Sequence, residues 1–317
     1  MMLRKWLLLW LLPLCASAAQ DAPVTVNMDP VRVGKHSWYA QGLPGAASAA
    51  NQGFMSNAGF VVTGAGVVVF DALGTPPLAA ELVKRIRRIT TAPIRYVIVS
   101  HYHADHIYGL QVFKAAGAEI WAHEDARHYL NSPELKARLA QRREELFPWV
   151  DEHTHVLPAD RWLGGDIDFE LGGVHFSVRH VGPAHTPEDL ALYVHEDRVL
   201  YAGDVVFKGR VPFVGDADSR AWLAALDKLL AFPARVLVPG HGALSRDPRA
   251  DLTLTRDYLG FLRRTMGQAV AEMVPFEQAY ARTDWSRWQK LPAFNEANRV
   301  NAYNNTYLLM EKEALGQ

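Results

Sequence analysis

His101, His103, Asp105 and His106 place three histidines and an aspartate within six consecutive positions, in the stretch SHYHADH (100–106). Neutral imidazole and carboxylate are good ligands for zinc and neighbouring divalent ions, and alternation at 101 and 103 on an extended segment turns both rings the same way. Three further candidates follow at long intervals: His185 in GPAHTPED, Asp204 in YAGDVVF and His241 in VPGHG. Each sits beside glycine or proline at an expected strand-to-loop turn. Taken singly, any of the three is as well explained as a hydrogen-bonding loop residue. Taken with the cluster, they complete a set of seven metal-ligand types.

The elements that must carry these residues can be read from hydropathy. GFVVT (59–63), a Gly-Ala-Gly turn and VVVFD (67–71) read as a hairpin, and PLAAELVKRIRRIT (77–90) has helical periodicity. IRYVIVS (94–100) reads as a buried strand that delivers the histidine cluster at its C-terminal end, where a rigid support commonly presents functional groups. AEIWAH (118–123) is a further strand. The stretch from Glu124 to His155 reads as two helical pieces that interrupt a strand-rich pattern, and we expect an inserted lid there. Strands resume with DIDFEL, VHFSVRHV, DLALYVH and RVLYAGD, joined by turns at 172–173 and 196–197, and RVLVPGHG (235–242) ends at His241. SRAWLAALDKLLAF (219–232) is amphipathic, and the remainder from Asp247 onward reads as mainly helical. Strands in two groups, each followed by helices, predict two sheets packed face to face with helices outside, in preference to a doubly wound parallel sheet.

Composition bounds the rest. MMLRK, the apolar run WLLLWLLPLC and the small residues ASAA read as a signal peptide over residues 1–19, so a periplasmic or secreted protein without a stable membrane anchor is expected. Cys15 is the only cysteine, so once this segment is removed no disulfide, thiol nucleophile or cysteine ligand is available. With 33 Lys and Arg against 34 Asp and Glu, a nucleic-acid partner has little electrostatic support, and a small-molecule substrate is the expectation.

The pattern H-x-H-x-D-H followed by distant His, Asp and His resembles the metallo-β-lactamase superfamily, over roughly residues 50–245. The resemblance implies an α+β fold, the four-layer αββα sandwich, for residues 20–245, with the helical insertion at about 124–155 and a helical C-terminal extension over 246–317. It implies that His101, His103 and His185 bind one metal, Asp105, His106 and His241 a second, with Asp204 bridging, and that Asp71 supports the histidine loop from behind. Two zinc ions are expected, with iron or manganese as alternatives. Two divalent ions about 3.5–4 Å apart lower the pKa of a shared water from about 15.7 towards 7, which supplies a hydroxide nucleophile, and Asp105 is placed to orient it and handle its proton.

Asp204 chooses among branches. The true β-lactamases of the superfamily typically carry cysteine or serine there, whereas hydrolases resembling glyoxalase II, lactonases and phosphodiesterases carry aspartate. The longer context resembles periplasmic metallohydrolases of sulfur-oxidation or quinoprotein relay systems. The expected activity is hydrolysis of a small ester, thioester or lactone. β-Lactam hydrolysis and iron-dependent persulfide dioxygenation are the alternatives.

Around the site several readings stay open. Lys208 and Arg210, next to Phe207, either donate to an anionic substrate group or are solvated cations. Glu188 and Asp189 either hydrogen-bond behind the ligands or open the next strand. Tyr129, Phe147 and Trp149 either wall a pocket or belong to the core. The Asn-rich tail FNEANRVNAYNNTYLLMEKE is a packing or homodimer-forming helix, or a cover over the site. His123, His153, His155, His175, His180 and His195 receive no role.

Overall fold

The computed structural model describes residues 22–212, 214 and 217–316. The expected signal peptide over 1–19, with Cys15, lies outside the described residues.

Period-2 alternation builds two sheets. The first runs in the order β1 (Val31–Arg32), β2 (Ser37–Ala40), β3 (Ala58–Thr63), β4 (Gly66–Phe70), β5 (Ile94–Ile98), β6 (Glu119–His123), β7 (Arg161–Leu163). It is antiparallel up to β4 and parallel from β4 to β7. The second runs β12 (Val236–Val238), β11 (Val199–Tyr201), β10 (Leu190–Val194), β9 (Val174–His180), β8 (Ile167–Leu171), with only β11 and β12 parallel. Along β4, Val67 and Val69 face one core while Val68 and Phe70 face another. Along β10, Leu190, Leu192 and Val194 meet Val68 and Phe70 between the sheets, while Ala191 and Tyr193 turn outward. Strands buried on both faces need cover on both, and helices supply it.

Over the first sheet lies α1 (Pro76–Ile89), whose Thr75 caps the Leu78 amide and whose prolines occupy the first turn, where no amide partner is needed. Over the second lie α6 (Ser219–Leu230), started by Asp218, and α7 (Pro248–Ala271), started by Asp247. The result is the expected αββα sandwich. Between them in sequence come α2 (Ala104–Ile107), α3 (Leu110–Ala115), α4 (Ala126–Leu130) and α5 (Pro133–Glu145), the last two forming the helical pieces expected after Glu124. No residue of α5 is buried.

The extension continues through α8 (Phe276–Arg282), α9 (Phe294–Ala302), a π-helical turn (Tyr303–Tyr307) and α10 (Leu308–Ala314). Its Leu259, Leu262, Met266, Trp288 and Tyr307 share one apolar cluster with Trp222 and with Tyr193 and Leu200 of the second sheet. Three strands had no sequence expectation. β1 and β7 span only 2 and 3 residues, and β2 is SWYA, too short for alternation to declare itself.

Because the extension and the second sheet share a core, they should unfold together. Leu262→Ala, which empties a fully buried position, should cost about 2–5 kcal/mol. A single calorimetric transition shifted to lower temperature is expected, and two separated transitions would show that the extension folds on its own.

Candidate metal centre

Every candidate ligand leaves the sandwich at one edge. Residues 100–106 follow β5, His185 lies in the loop between β9 and β10, Asp204 sits in the 3-10 turn Gly203–Val205 after β11, and His241 follows β12. The structure brings all seven expected ligands together. His101, His103 and His185 form one group, Asp105, His106 and His241 a second, and Asp204 joins His101 and His106 in a third, each group with donor atoms within 4.8 Å of one another. Asp204 Oδ1 lies 3.5 Å from His106 Nε2, while its Oδ2 lies 3.6 Å from His185 Nε2 and 3.2 Å from His241 Nε2. Asp105 Oδ2 lies 3.2 Å from His241 Nε2 and 3.5 Å from His106 Nε2.

The rings are aimed by partners on their far sides. Asp71, in the left-handed region at φ 66°, accepts from the Ser100 amide at 2.7 Å and the Ser100 hydroxyl at 2.8 Å, and sits 2.9 Å from His106 Nδ1. Its carboxylate thus lies behind the histidine segment. The Ser100 hydroxyl also lies 2.9 Å from His101 Nδ1. His241 Nδ1 is 2.8 Å from the Met55 carbonyl, Ser56 Oγ donates to the Asp105 carbonyl, and the Asn57 amide group donates to the carbonyls of Pro239 and Gly242 at 2.7 and 2.8 Å. Three consecutive residues before β3 thus buckle two ligand-bearing loops. Gly240 is required by close approach, since a Cβ there would lie 1.9 Å from Asp204 Oδ1.

The outer nitrogens of His101, His106 and His241 are engaged, and four inner atoms of the cluster converge without hydrogen bonds. His101 Nε2, His106 Nε2, Asp105 Oδ2 and Asp204 Oδ1 are buried and make none. Buried polar atoms left in this way are costly unless a further group satisfies them. Nitrogen and carboxylate oxygen donors meeting at one point fit a divalent cation.

Electrostatics divides the cluster. Burial holds His101 and His185 below the ordinary imidazole range and lowers His103 to about 3, so this trio is neutral and ready to coordinate. Burial opposes charge on the other side too, but there Asp105, Asp71 and Asp204 outweigh it for His106, whose pKa is raised, and Asp204 and Asp105 raise His241 to about 10. In return, His106 and His241 hold both Asp105 and Asp204 below the usual carboxylate range against the effect of burial. On this side protonated imidazoles are paired with ionised carboxylates.

The walls are partly apolar. Phe207 is buried, with its ring 6.0 Å from that of His185 and 6.5 Å from that of His241. Trp222 lies 6.0 Å from His185 and donates to the Val205 carbonyl at 2.9 Å. Tyr129 lies 6.5 Å from His103. Phe147 instead faces solvent, and Trp149 donates to the Pro23 carbonyl. Lys208 donates to the Leu244 carbonyl at 2.7 Å, and the Arg210 guanidinium lies 5.7 Å from the Phe207 ring centroid. His123 and His180 stack at 3.6 Å with planes 12° apart, so their in-plane lone pairs run in parallel planes and do not converge on one ion.

The profile of the metallo-beta-lactamase superfamily matches residues 51–241, more than half of the chain. The chain belongs to the metallo-beta-lactamase superfamily. The linear primary-alkylsulfatase of a Pseudomonas sp. is 27% identical over 233 residues, covering 62% of this chain and 44% of that protein. Hydroxyacylglutathione hydrolase GloC of Haemophilus influenzae is 30% identical over 174 residues, 52% of this chain and 76% of that one. Among solved structures, the inverting sec-alkylsulfatase Pisa1 from Pseudomonas sp. superposes with a TM-score of 0.70 at 18% identity, over 91% of this chain and 50% of that one. The metallo-beta-lactamase from Pontibacter korlensis gives 0.57 at 21% identity, over 74% of this chain and 99% of that one. The chain spans about half the length of the alkylsulfatase and of a 2,4-dinitroanisole O-demethylase subunit alpha from a Nocardioides sp., at 44% and 49%. The superfamily match spans a chain that carries, at one edge of its sandwich, a His and Asp cluster able to hold metal.

The sequence reading missed Ser100, Met55, Ser56 and Asn57 as site residues. Ser100 stood inside the quoted motif, but the other three carry no signal, since their partners lie 49 to 186 positions away.

The two ligand sets should differ in their linkage to protons. Coordination needs neutral imidazole, and His241, raised to about 10, is charged at neutral pH. Cation binding to the Asp105, His106 and His241 set must therefore expel protons, and its apparent affinity should rise about tenfold per pH unit for each proton expelled. Binding to the His101, His103 and His185 trio should be nearly flat between pH 6 and pH 8, by roughly the same reasoning. Zinc titrations across that range, with proton release followed in weak buffer, should show one steep and one flat affinity; equal slopes would refute the division.

Proposed function

We propose that the protein is an exported hydrolase that uses two metal ions, zinc by preference, on a small ester, thioester or lactone. The observation that supports this reading is the convergence of seven His and Asp residues at one edge of the sandwich, with His101 Nε2, His106 Nε2, Asp105 Oδ2 and Asp204 Oδ1 buried and without hydrogen bonds. His101, His103 and His185 would hold one ion, Asp105, His106 and His241 the other, and Asp204 faces both sets. Bound there, the ions supply Lewis-acid polarisation of a substrate carbonyl and a water of lowered pKa.

The chain's own groups supply the rest. Asp105, ionised by its imidazole neighbours, would orient the attacking water and handle its proton. Asp71 and the Met55 carbonyl hold His106 and His241 in orientation, so that their inner nitrogens need no reorganisation. Phe207 and Trp222 keep water away from the His185 side, which strengthens each charge interaction inside. The aspartate at 204 supports a general hydrolase over a dedicated β-lactamase. Export rests on the sequence of residues 1–19 alone.

A sulfate ester is the second reading. It is favoured by the Pisa1 superposition over 91% of this chain, against 74% for the Pontibacter korlensis lactamase, an extent too large for the sandwich alone.

Metal analysis of the mature chain coupled to a substrate panel tests both readings. About two zinc ions per chain and turnover of esters, thioesters or lactones are expected, and His103→Ala should lower activity at least a hundredfold, since even residues behind a ligand are worth about 10–100-fold. Sulfate release from alkyl sulfates would select the second reading. Fast nitrocefin turnover by zinc-replete protein, or a single iron with oxygen consumption, would replace both.

A further inference from the structure

We propose that Glu188 is a positioning residue that sets the affinity of the His101, His103 and His185 trio for its metal. This rests on the metal-binding reading above. Tyr102, between two of the three histidines, has a fully buried side chain whose hydroxyl donates to the Leu157 carbonyl at 3.1 Å. Its backbone amide donates to Glu188 Oε1 at 3.2 Å. The two rings it separates are 4.6 Å apart, so a shift of this one peptide moves both.

Glu188 lies in the loop that carries the third member of the trio. That loop is closed by Asp189, which accepts from the Thr186 amide at 2.8 Å and hydroxyl at 2.9 Å and whose carbonyl takes the amides of Val181 and Gly182. His185 Nε2 then reaches to 3.0 Å from His103 Nδ1. Besides that contact between the two rings, the Leu190 amide donates to the Ser100 carbonyl at 2.8 Å and the Tyr102 amide to Glu188, joining this loop to the histidine segment. The Leu190 bond sits at the strand ends, and the Glu188 bond lies among the ligands themselves.

Glu188 is only 4% exposed, and among the described residues it has no ion pair with lysine or arginine. A carboxylate in that position is costly unless its lone pairs are used. It spends one on an amide that makes no backbone hydrogen bond among the described residues, so the pair satisfies two buried groups at once. The function required of residue 188 is therefore an acceptor atom at fixed reach, and its charge is incidental.

Competition between the full-length mature protein and a chromophoric chelator for zinc resolves the two affinities. Glu188→Met keeps the volume and removes the acceptor, and it should weaken one of the two sites by about 10–100-fold, the range for partners behind a metal ligand. The other site should be unchanged. Glu188→Gln keeps an acceptor oxygen and should stay within about threefold of wild type. Should Glu188→Met not fold, Glu188→Ala carries the same comparison without added bulk. A lower Tm with both zinc affinities unchanged would reduce Glu188 to a folding role and overturn the proposal. So would a glutamine variant as weak as the methionine one, which would make the charge the active feature. Failure of the wild-type protein to bind zinc at the trio would instead overturn the reading of the site.

Discussion

Buried carboxylates and imidazoles crowded at one edge of the sandwich are the constraint to which the rest of the structure answers. The carboxylates of Asp105 and Asp204 each lie 3.2 to 3.5 Å from the imidazoles of both His106 and His241, in a largely buried setting. In that low-dielectric setting each carboxylate stabilises a protonated imidazole, and removing any one member leaves a buried charge uncompensated. Apolar packing cannot aim a ring to a fraction of an ångström, so both imidazoles are fixed by a directional contact on the outer side, His106 by Asp71 and His241 by the Met55 carbonyl. Asp71 is the clearest case, because one carboxylate holds the Ser100 amide, the Ser100 hydroxyl and the His106 ring. Its left-handed backbone turns the chain sharply as β4 ends, at a strain of about 1–3 kcal/mol that the bonds offset.

The two sheets serve this edge. Their shared apolar layer, with Val68, Phe70, Ile98, Leu190 and Leu192 among its members, fixes the register of β4, β5 and β10. Register in turn fixes where each loop departs. Since β4, β5 and β6 are parallel in one sheet and β11 and β12 are parallel in the other, their C-terminal ends bring Asp71, the histidine segment, Asp204 and His241 to one side. The polar cluster itself contributes little net stability, because desolvation offsets most of the attraction. The apolar layers stabilise an arrangement that the site alone would not.

The ligands were legible in the sequence because they are rare residue types crowded into 100–106 and repeated at glycine-marked turns. The long strands were legible for a related reason: alternation needs about five residues to declare itself, and β3, β4, β9 and β10 supply them. β1 and β7 are too short for this and exist through pairing with neighbours brought in by the fold. Asn57 marks the deeper limit. It is an ordinary asparagine by sequence, and its amide bonds to carbonyls 182 and 185 positions away make sense only once the strands are assembled. Main-chain acceptors such as the Met55 carbonyl have no sequence signature at all.

The Asn-rich tail shows how such polar residues acquire meaning from packing. Asn298 and Asn301 are buried, and both bond to the Tyr258 hydroxyl, at 2.8 and 3.2 Å. Asn301 then donates to the Pro212 carbonyl at 2.8 Å and accepts from the Val214 amide at 3.2 Å, while the Pro292 carbonyl takes the Val211 amide at 3.0 Å. The tail therefore braces the segment that follows Asp204 and Phe207, one wall of the metal centre. A packing role and an influence on the site are thus the same interaction seen from its two ends. The ligands fix the type of chemistry, and the segments they do not occupy shape what reaches them. In this chain one of those segments is held in place by a helix roughly a hundred residues further on, which ties the geometry of the pocket wall to the fold of the extension.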